Sequence, residues 1–185
     1  MSGFLLFCTV FLSLFFALTE KTNCAYYLIY RKEEEITSVG AFDCCFNGGA
    51  GYILKAKGKE FLILSGYSLS DNALTVNRRL REAGEDTGVI KIGFSRIPKW
   101  KKNRHSLLKE CIEILYQTAN RIDSGMMNGE QTQAVLSNVS RVLNTELLPL
   151  REDAKSTLSG DVRYLQIALT EEVLKMGIVT NLEFL

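Results

Sequence analysis

The distribution of charge along the chain constrains its fold more than any other sequence feature. Residues 1–19 carry no charged side chain, so all 22 Lys and Arg residues and all 21 Asp and Glu residues lie in the rest of the 185-residue chain. Residues 3–18 are apolar except for Thr9 and Ser13. The sequence therefore predicts an apolar leader followed by a charge-rich, folded body.

The leader, residues 1–19, is either a membrane anchor or a secretory signal. An uncharged helix of about 19 residues just spans a hydrocarbon core of about 30 Å. No basic segment precedes the apolar run and no small-residue cleavage site follows it, which favours an anchor over a cleavable signal. We therefore predict a single membrane span at residues 3–18. The nearest basic residues all follow this span, and that bias taken alone favours a cytoplasmic body: Lys21, Arg31 and Lys32.

Composition excludes several classes of function. A net charge of +1 argues against nucleic-acid binding, and a hydrophobic content of 46% with only two prolines argues against disorder. The single histidine and the spacing of the five cysteines match no metal site. No phosphate-binding or dinucleotide-binding motif occurs. We therefore predict a non-enzymatic protein with no catalytic residue, no cofactor and no metal.

Residues 25–95 have the pattern of a small α+β domain. Apolar residues at helical spacing predict a helix over residues 71–83, with an N-terminal cap at Ser68–Asp71 and an end at Gly84. Gly58 suits the left-handed position of a tight hairpin turn. Four runs of β-branched, aliphatic and aromatic residues predict strands: 25–30, 52–54, 61–64 and 88–94.

The C-terminal part of the chain, residues 103–178, is predicted to be α-helical. Apolar residues recur there at three- and four-residue spacing within 108–122, 135–147 and 162–173. The basic segment before it, residues 99–104, has the sequence KWKKNR. It is interpreted as a linker or as a surface that contacts anionic wall polymer or lipid headgroups.

The register of the predicted hairpin assigns its residues to two faces. With the turn centred on residues 57 and 58, Lys55 lies opposite Glu60, and the charged pair marks its face as the more exposed one. The helix over residues 71–83 is then expected on the other face, with Tyr52, Leu54, Phe61 and Ile63. The exposed face would hold Ile53, Lys55, Glu60, Leu62 and Leu64, joined by alternation in the first strand by Tyr27, Ile29 and Arg31.

Several motifs resemble the second half of a SPOR (sporulation-related repeat) domain. They are GGAGYI at residues 48–53, FLILSGY at residues 61–67, and Ala73 with Val76 and Leu80. The strand at residues 26–30 matches the first strand of that family, so the resemblance covers residues 25–95. It implies a βαββαβ, ferredoxin-like fold behind an N-terminal membrane helix. The first helix of this fold would fill residues 33–47.

The resemblance also implies a function. It implies a single-pass bacterial cell-membrane protein of division or sporulation, whose body lies outside the cytoplasm, against the charge bias. SPOR domains bind peptidoglycan glycan strands on an open sheet face. Here that face would consist of Tyr27, Ile29, Arg31, Ile53, Lys55, Glu60, Leu62 and Leu64.

An alternative follows from the apolar centre of the same face. Ile53, Leu62 and Leu64 would form an exposed aliphatic patch, which monomeric proteins rarely tolerate. The C-terminal helices are therefore expected to cover this face. The protein would then be a non-catalytic scaffold that contacts a protein partner through its C-terminal helices.

Overall fold

The computed structural model describes residues 24–32, 49–56, 58–95, 97–143 and 157–185. The strands are β1 (Cys24–Arg31), β2 (Tyr52–Ala56), β3 (Lys59–Tyr67), β4 (Thr87–Ser95) and β5 (Ile178–Phe184). The helices are α1 (Ser70–Glu82), α2 (Lys102–Asp123), α3 (Gly129–Leu143) and α4 (Leu158–Leu174), and a 3-10 turn (Lys99–Lys101) precedes α2. The strands form one antiparallel sheet of order β2-β3-β1-β4-β5. The predicted α+β class is confirmed.

The β2–β3 hairpin has the predicted register. Lys55 pairs with Glu60 and Leu54 with Phe61 across the two strands. Gly58 has a φ of 73°, a conformation that residues with a Cβ rarely adopt. The turn chemistry of one glycine therefore sets which residues face each other over the whole hairpin.

Strand β1 occupies the centre of the sheet. It pairs antiparallel with β3 on one side and β4 on the other, so β3 and β4 are parallel and α1 connects them. This is a split βαβ unit. The central position accounts for the burial of β1, in which Tyr26, Leu28 and Ile29 are almost inaccessible.

Helix α1 ends as predicted but begins differently. Gly84 follows it at a φ of 94°, which terminates the helix. The N-cap position is held by Leu69, and no side chain caps the helix, so the predicted cap is wrong. The Ser68 hydroxyl is directed instead toward Glu113 of α2, which its oxygen approaches to 3.5 Å.

The two faces of the sheet are covered by different helices. The α1 face, defined by Ile29, Leu62, Leu64 and Val89, packs against Ala73, Val76 and Leu80 of α1. The α4 face, defined by Leu28, Ile63, Ile90 and Ile92, packs against Ile167 and Tyr164 of α4. The end of the sheet at Tyr26 and Phe94 joins a larger core built from α2, α3 and α4.

The predicted position of the helix over residues 71–83 is wrong. It was expected on the face of Tyr52 and Ile63, and it lies on the α1 face instead. The Lys55–Glu60 pair sits beside the hairpin turn, where both side chains stay exposed. The charged pair therefore marks only the tip of the hairpin, while the centre of the same face is aliphatic and buried.

Strand β5 was not predicted from the sequence. It extends the sheet by pairing with β4, with Ile92 opposite Leu182 and Lys91 opposite Glu183. Nearly all of its residues are exposed. It therefore lacks the alternation of buried and exposed residues by which a strand is identified.

Within the part of the chain that the structure describes, every helix is too short or too polar to span a bilayer. The predicted span at residues 3–18 and the predicted first helix of the SPOR-like fold at residues 33–47 lie outside the described residues.

Candidate functional site

The centre of the predicted glycan-binding face is buried under α1. Ile29 and Leu62 have no exposed surface and Leu64 is 6% exposed. They contact Ala73 of α1, and Tyr116 of α2 packs at the margin of the cluster. The expected cover therefore exists, but it comes mainly from α1 and only at its margin from the C-terminal helices.

The other five residues of the predicted face remain at least partly accessible. Tyr27 and Arg31 are half-buried, whereas Ile53, Lys55 and Glu60 are exposed. Arg31 Nη2 lies 3.1 Å from Glu85 Oε2, and Lys55 Nζ lies 2.7 Å from Glu60 Oε1. The hydrogen bond to Glu60 raises the pKa of Lys55. The accessible part of this face is therefore divided, with Tyr27 on one side of the buried Ile29 and with Arg31 and the hairpin tip on the other.

The α4 face is covered through aromatic contacts and one partly buried hydrogen bond. The ring of Tyr30 packs edge-on against Phe61 and Phe184. The Tyr52 hydroxyl donates a hydrogen bond to the Glu171 carboxylate of α4. Burial is the main cause that raises the pKa of Tyr52 above its ordinary value, and this hydrogen bond is the second. The hairpin is thereby fixed to α4 and offers no platform on this side.

One buried glutamine connects the sheet to two helices. Gln166 of α4 is 1% exposed, and its Nε2 donates to the main-chain oxygens of Gly66 and Ile112, each at 3.3 Å. Buried polar groups are stable only where such partners exist. This role cannot be predicted from the sequence, because a polar residue in an amphipathic helix has the pattern of a solvent-facing one.

Glu113 of α2 collects hydrogen bonds from the beginning of α1. Asn72 Nδ2 lies 3.0 Å from Glu113 Oε1 and 3.2 Å from Oε2, and the Ser68 hydroxyl approaches the same carboxylate. Gln117 donates to it from the next turn of α2. This carboxylate holds α1 against α2, a structural role that accounts for its polar neighbours.

A mostly apolar cavity of about 230 Å³ lies between α2 and α3. Burial, with a smaller effect of Glu110, raises the pKa of the Cys111 thiol in its wall. A thiol in that environment stays protonated near neutral pH and is a poor nucleophile. The cavity therefore offers apolar contact surface rather than chemistry. Its lining is Leu107, Glu110, Cys111, Ile114, Val135, Asn138 and Val139.

Two side chains with polar groups, Tyr26 and His105, pack around Phe94 at the end of the sheet away from the hairpin tip. The ring centroids of Tyr26 and His105 lie 5.6 and 5.9 Å from that of Phe94. The Tyr26 hydroxyl and His105 Nε2 are buried without a hydrogen-bond partner. Burial raises the pKa of Tyr26, and burial together with Lys109 lowers the pKa of His105. Both side chains are therefore neutral near pH 7.

Metal-ligating residues do not converge in the described ranges, where no group of three or more His, Cys, Asp or Glu side chains occurs. No family model, curated protein or solved structure matches the chain.

Proposed function

We propose that this chain is a non-catalytic, membrane-anchored interaction protein of the bacterial cell envelope, in which the sheet serves as a scaffold. The observation that carries this proposal is the cover on both sides of the sheet, α1 on one face and α4 on the other. A glycan chain bound to an open sheet requires an accessible platform, and the aliphatic centre of each face is already occupied by a helix.

The surface between α2 and α3 is the proposed contact with a protein partner. The cavity there lies between the two helices, and Ile114 at its wall is 41% exposed. Met126, in the turn that joins the two helices, is 70% exposed. An exposed aliphatic side chain in the wall of an apolar groove, with an exposed methionine in the turn that joins the same two helices, is typical of sites that accept the apolar face of a partner helix.

Site-specific photo-crosslinking tests this contact in cells. A photoreactive residue at position 114 is expected to give an adduct with a partner protein, and Met126→Lys is expected to abolish it. Leu74 on α1 is the matched control, because it is exposed to the same 41%. Equal adducts at 74 and 114, or an adduct unaffected by Met126→Lys, would contradict the proposed contact.

Peptidoglycan binding remains a second proposal, supported by a different observation. The order β2-β3-β1-β4 with α1 between β3 and β4 supports a βαββαβ domain, which the SPOR resemblance implies. Tyr27 lies opposite Lys91 in the sheet register, and both are partly accessible. Lys91 Nζ also lies 2.6 Å from Glu183 Oε2, so the aromatic ring lies beside an ion pair, and together they offer stacking surface and hydrogen-bonding groups to a sugar.

Cosedimentation of the full chain with amidase-treated sacculi separates the two proposals. The scaffold proposal expects the chain to stay in the supernatant. Cosedimentation that is lost in a Tyr27→Ala, Lys91→Ala variant would support glycan binding and remove the scaffold proposal. Lys109→Ala, at an exposed position on α2, is the matched control for a lost positive charge.

A further inference from the structure

Three strands and one helix bring their ends together at a single end of the sheet. Cys24, the first residue of β1, pairs with Phe94, and Phe94 pairs with Val179 of β5. Ile178 pairs with the next residue of β4, Ser95. Helix α2 begins at the same place, because the ring of His105 in its first turn lies 5.9 Å from that of Phe94. This region is called the Cys24 end of the sheet.

Large apolar side chains are exposed at the Cys24 end. Trp100 is 79% exposed, the highest value among the exposed large hydrophobic residues of the described ranges. It is also the only tryptophan of the chain. Ile178 and Val179, where β5 begins, are about half exposed. A tryptophan with aliphatic neighbours suits the boundary between water and hydrocarbon, where its ring is most stable.

Positive charge is concentrated around Trp100. Its four basic neighbours are Lys99, Lys101, Lys102 and Arg104, in a chain whose net charge is only +1. Lys101 Nζ lies 5.0 Å from the centroid of the Trp100 ring. Among the described residues, no carboxylate pairs with Lys99, Lys101 or Arg104.

The position of these cations is unfavourable in the isolated domain. They surround the N-terminus of α2, whose first turn has no acidic residue and whose N-cap residue, Lys101, makes no capping hydrogen bond through its side chain. The N-terminus of a helix carries a partial positive charge, so cations there repel it. An anionic surface placed against this end would remove the repulsion.

We propose that the Cys24 end of the sheet is a docking surface for the anionic headgroups of a lipid bilayer. The basic side chains contact headgroup phosphates, while Trp100, Ile178 and Val179 enter the interfacial layer. A soluble polyanion would neutralise the same cations but would leave the aliphatic side chains in water. The combination of exposed apolar and basic residues therefore favours a membrane.

The proposed membrane span at residues 3–18 would hold the docking surface close to the bilayer. The orientation of the docking surface toward the membrane rests on that proposed span. Five residues lie between the end of that span, residue 18, and Cys24, so the two are at most about 22 Å apart when the chain is extended. The Cys24 end is therefore the part of the sheet that the span holds near the bilayer. The hairpin tip at Gly58 lies at the opposite end of the sheet, because Arg31 at the end of β1 pairs with Leu62.

Tryptophan fluorescence of the full chain tests the proposal, because Trp100 is its only tryptophan. The chain is reconstituted with vesicles of phosphatidylcholine alone or of phosphatidylcholine with phosphatidylglycerol. With the anionic vesicles, we expect Trp100 emission to shift to shorter wavelength and to be quenched by brominated lipid. With the neutral vesicles, we expect emission typical of a water-exposed indole.

Charge-removing variants give the test its control. Each cation near an anionic leaflet raises membrane partitioning about fivefold, so Lys99→Gln, Lys101→Gln, Lys102→Gln together should lower the docked population on the order of a hundredfold. The matched control is Arg78→Gln, Arg79→Gln, Arg81→Gln, which removes three exposed cations on α1. A shift that the first variant retains, or that the control variant loses equally, would overturn the proposal.

Vesicle flotation separates the docking surface from the span. A chain that floats with both vesicle types but has the same Trp100 emission in each keeps the span and overturns the docking surface. A chain that binds only anionic vesicles, with the shifted emission, loses the span and supports the docking surface. A larger emission shift with a short DNA duplex than with anionic vesicles would also overturn a lipid partner.

Discussion

The side-chain nitrogen of Gln166 lies 3.3 Å from the carbonyl oxygen of Gly66, a residue 100 positions earlier in the chain. The same nitrogen donates to the carbonyl oxygen of Ile112 at 3.3 Å. One amide group thus connects β3, α2 and α4. It fixes the position of α4 against both the sheet and α2.

Replacing Gln166 by leucine should destabilise the fold. Leucine keeps most of the buried volume but leaves the Gly66 and Ile112 carbonyls without their donor, which costs about 1–3 kcal/mol. Chemical denaturation measures the free energy of unfolding. The control is Gln117→Leu, which removes an exposed hydrogen bond to Glu113 and should change stability by less than about 0.5 kcal/mol. Equal effects of the two substitutions would show that the buried bonds contribute nothing.

The Tyr30 ring packs so closely against Gly88 that a methyl group at position 88 should not fit. The two residues are paired in the sheet, and a Cβ at position 88 would lie 2.7 Å from atoms of the Tyr30 ring. Because that ring is fixed by Phe61 and Phe184, Gly88→Ala should lower the free energy of unfolding by about 1–3 kcal/mol.

Gly129→Ala is the matched control for that substitution. A Cβ at position 129 would meet only Leu158, at an ordinary contact distance of 3.6 Å. Residue 129 begins α3, so alanine should leave stability unchanged or raise it slightly. If the midpoint of thermal unfolding changed equally in both variants, the proposed steric contact at Gly88 would be wrong.

Stability should fall at alkaline pH because of Tyr67. Burial raises the pKa of Tyr67 to about 12, against the opposing hydrogen bond from Ser65. The folded state holds the phenolic proton more tightly than the unfolded state, whose tyrosine pKa is 10.0. The stabilising contribution is therefore complete below about pH 10 and is lost as the pH rises toward about 12.

Tyr67→Phe should reduce this alkaline loss without abolishing it, because burial raises the pKa of Tyr26 and Tyr52 in the same direction. Urea unfolding at a series of alkaline pH values measures the slope. At neutral pH the variant should lose about 1 kcal/mol with the hydrogen bond to Ser65. An unchanged alkaline slope would contradict the assignment to Tyr67.

Stability should also fall on mild acidification because of His105, the only histidine. Burial and Lys109 lower its pKa below 6.5 in the folded state. Below that pH the unfolded chain binds a proton that the folded protein binds less readily. The contribution is therefore complete above pH 6.5 and is lost as the pH falls through and below this value.

The variant His105→Phe keeps a ring beside Phe94 and removes the titrating group. Its thermal midpoint should vary less between about pH 7 and about pH 5.5 than that of the natural sequence, because carboxylates titrate mainly at lower pH. A difference between the two proteins that stays constant over this range would exclude His105 as the source.

The parts of the fold that the sequence predicted are those determined by local chemistry. Gly58 specifies the turn, and the turn specifies each pair of the β2–β3 hairpin. The end of α1 at Gly84 follows from the same left-handed backbone conformation. The α-helical stripes of α2 and α4 likewise depend on residues three and four positions apart, so they are visible without knowledge of the tertiary structure.

The parts that the sequence did not predict depend on distant contacts. The charge pair Lys55–Glu60 predicts an exposed face, yet β1 and α1 bury Leu62 only two residues away from Glu60. Strand β5 is defined by its pairing with β4, about 90 residues earlier, and not by its own pattern. The same holds for Gln166, whose partners lie in two other elements.

The late position of α4 in the chain has a consequence for synthesis. Strand β4 ends at Ser95, and α4, which covers Leu28, Ile63 and Ile90, begins at Leu158. About 60 residues therefore separate the completed four-stranded sheet from this helix. Translation of that interval takes several seconds at ~5–20 residues per second. Throughout that time, a chain with β1–β4 formed lacks the α4 cover over this apolar sheet face. A chaperone that shields β-sheet surface would bind during this interval and be displaced when α4 docks.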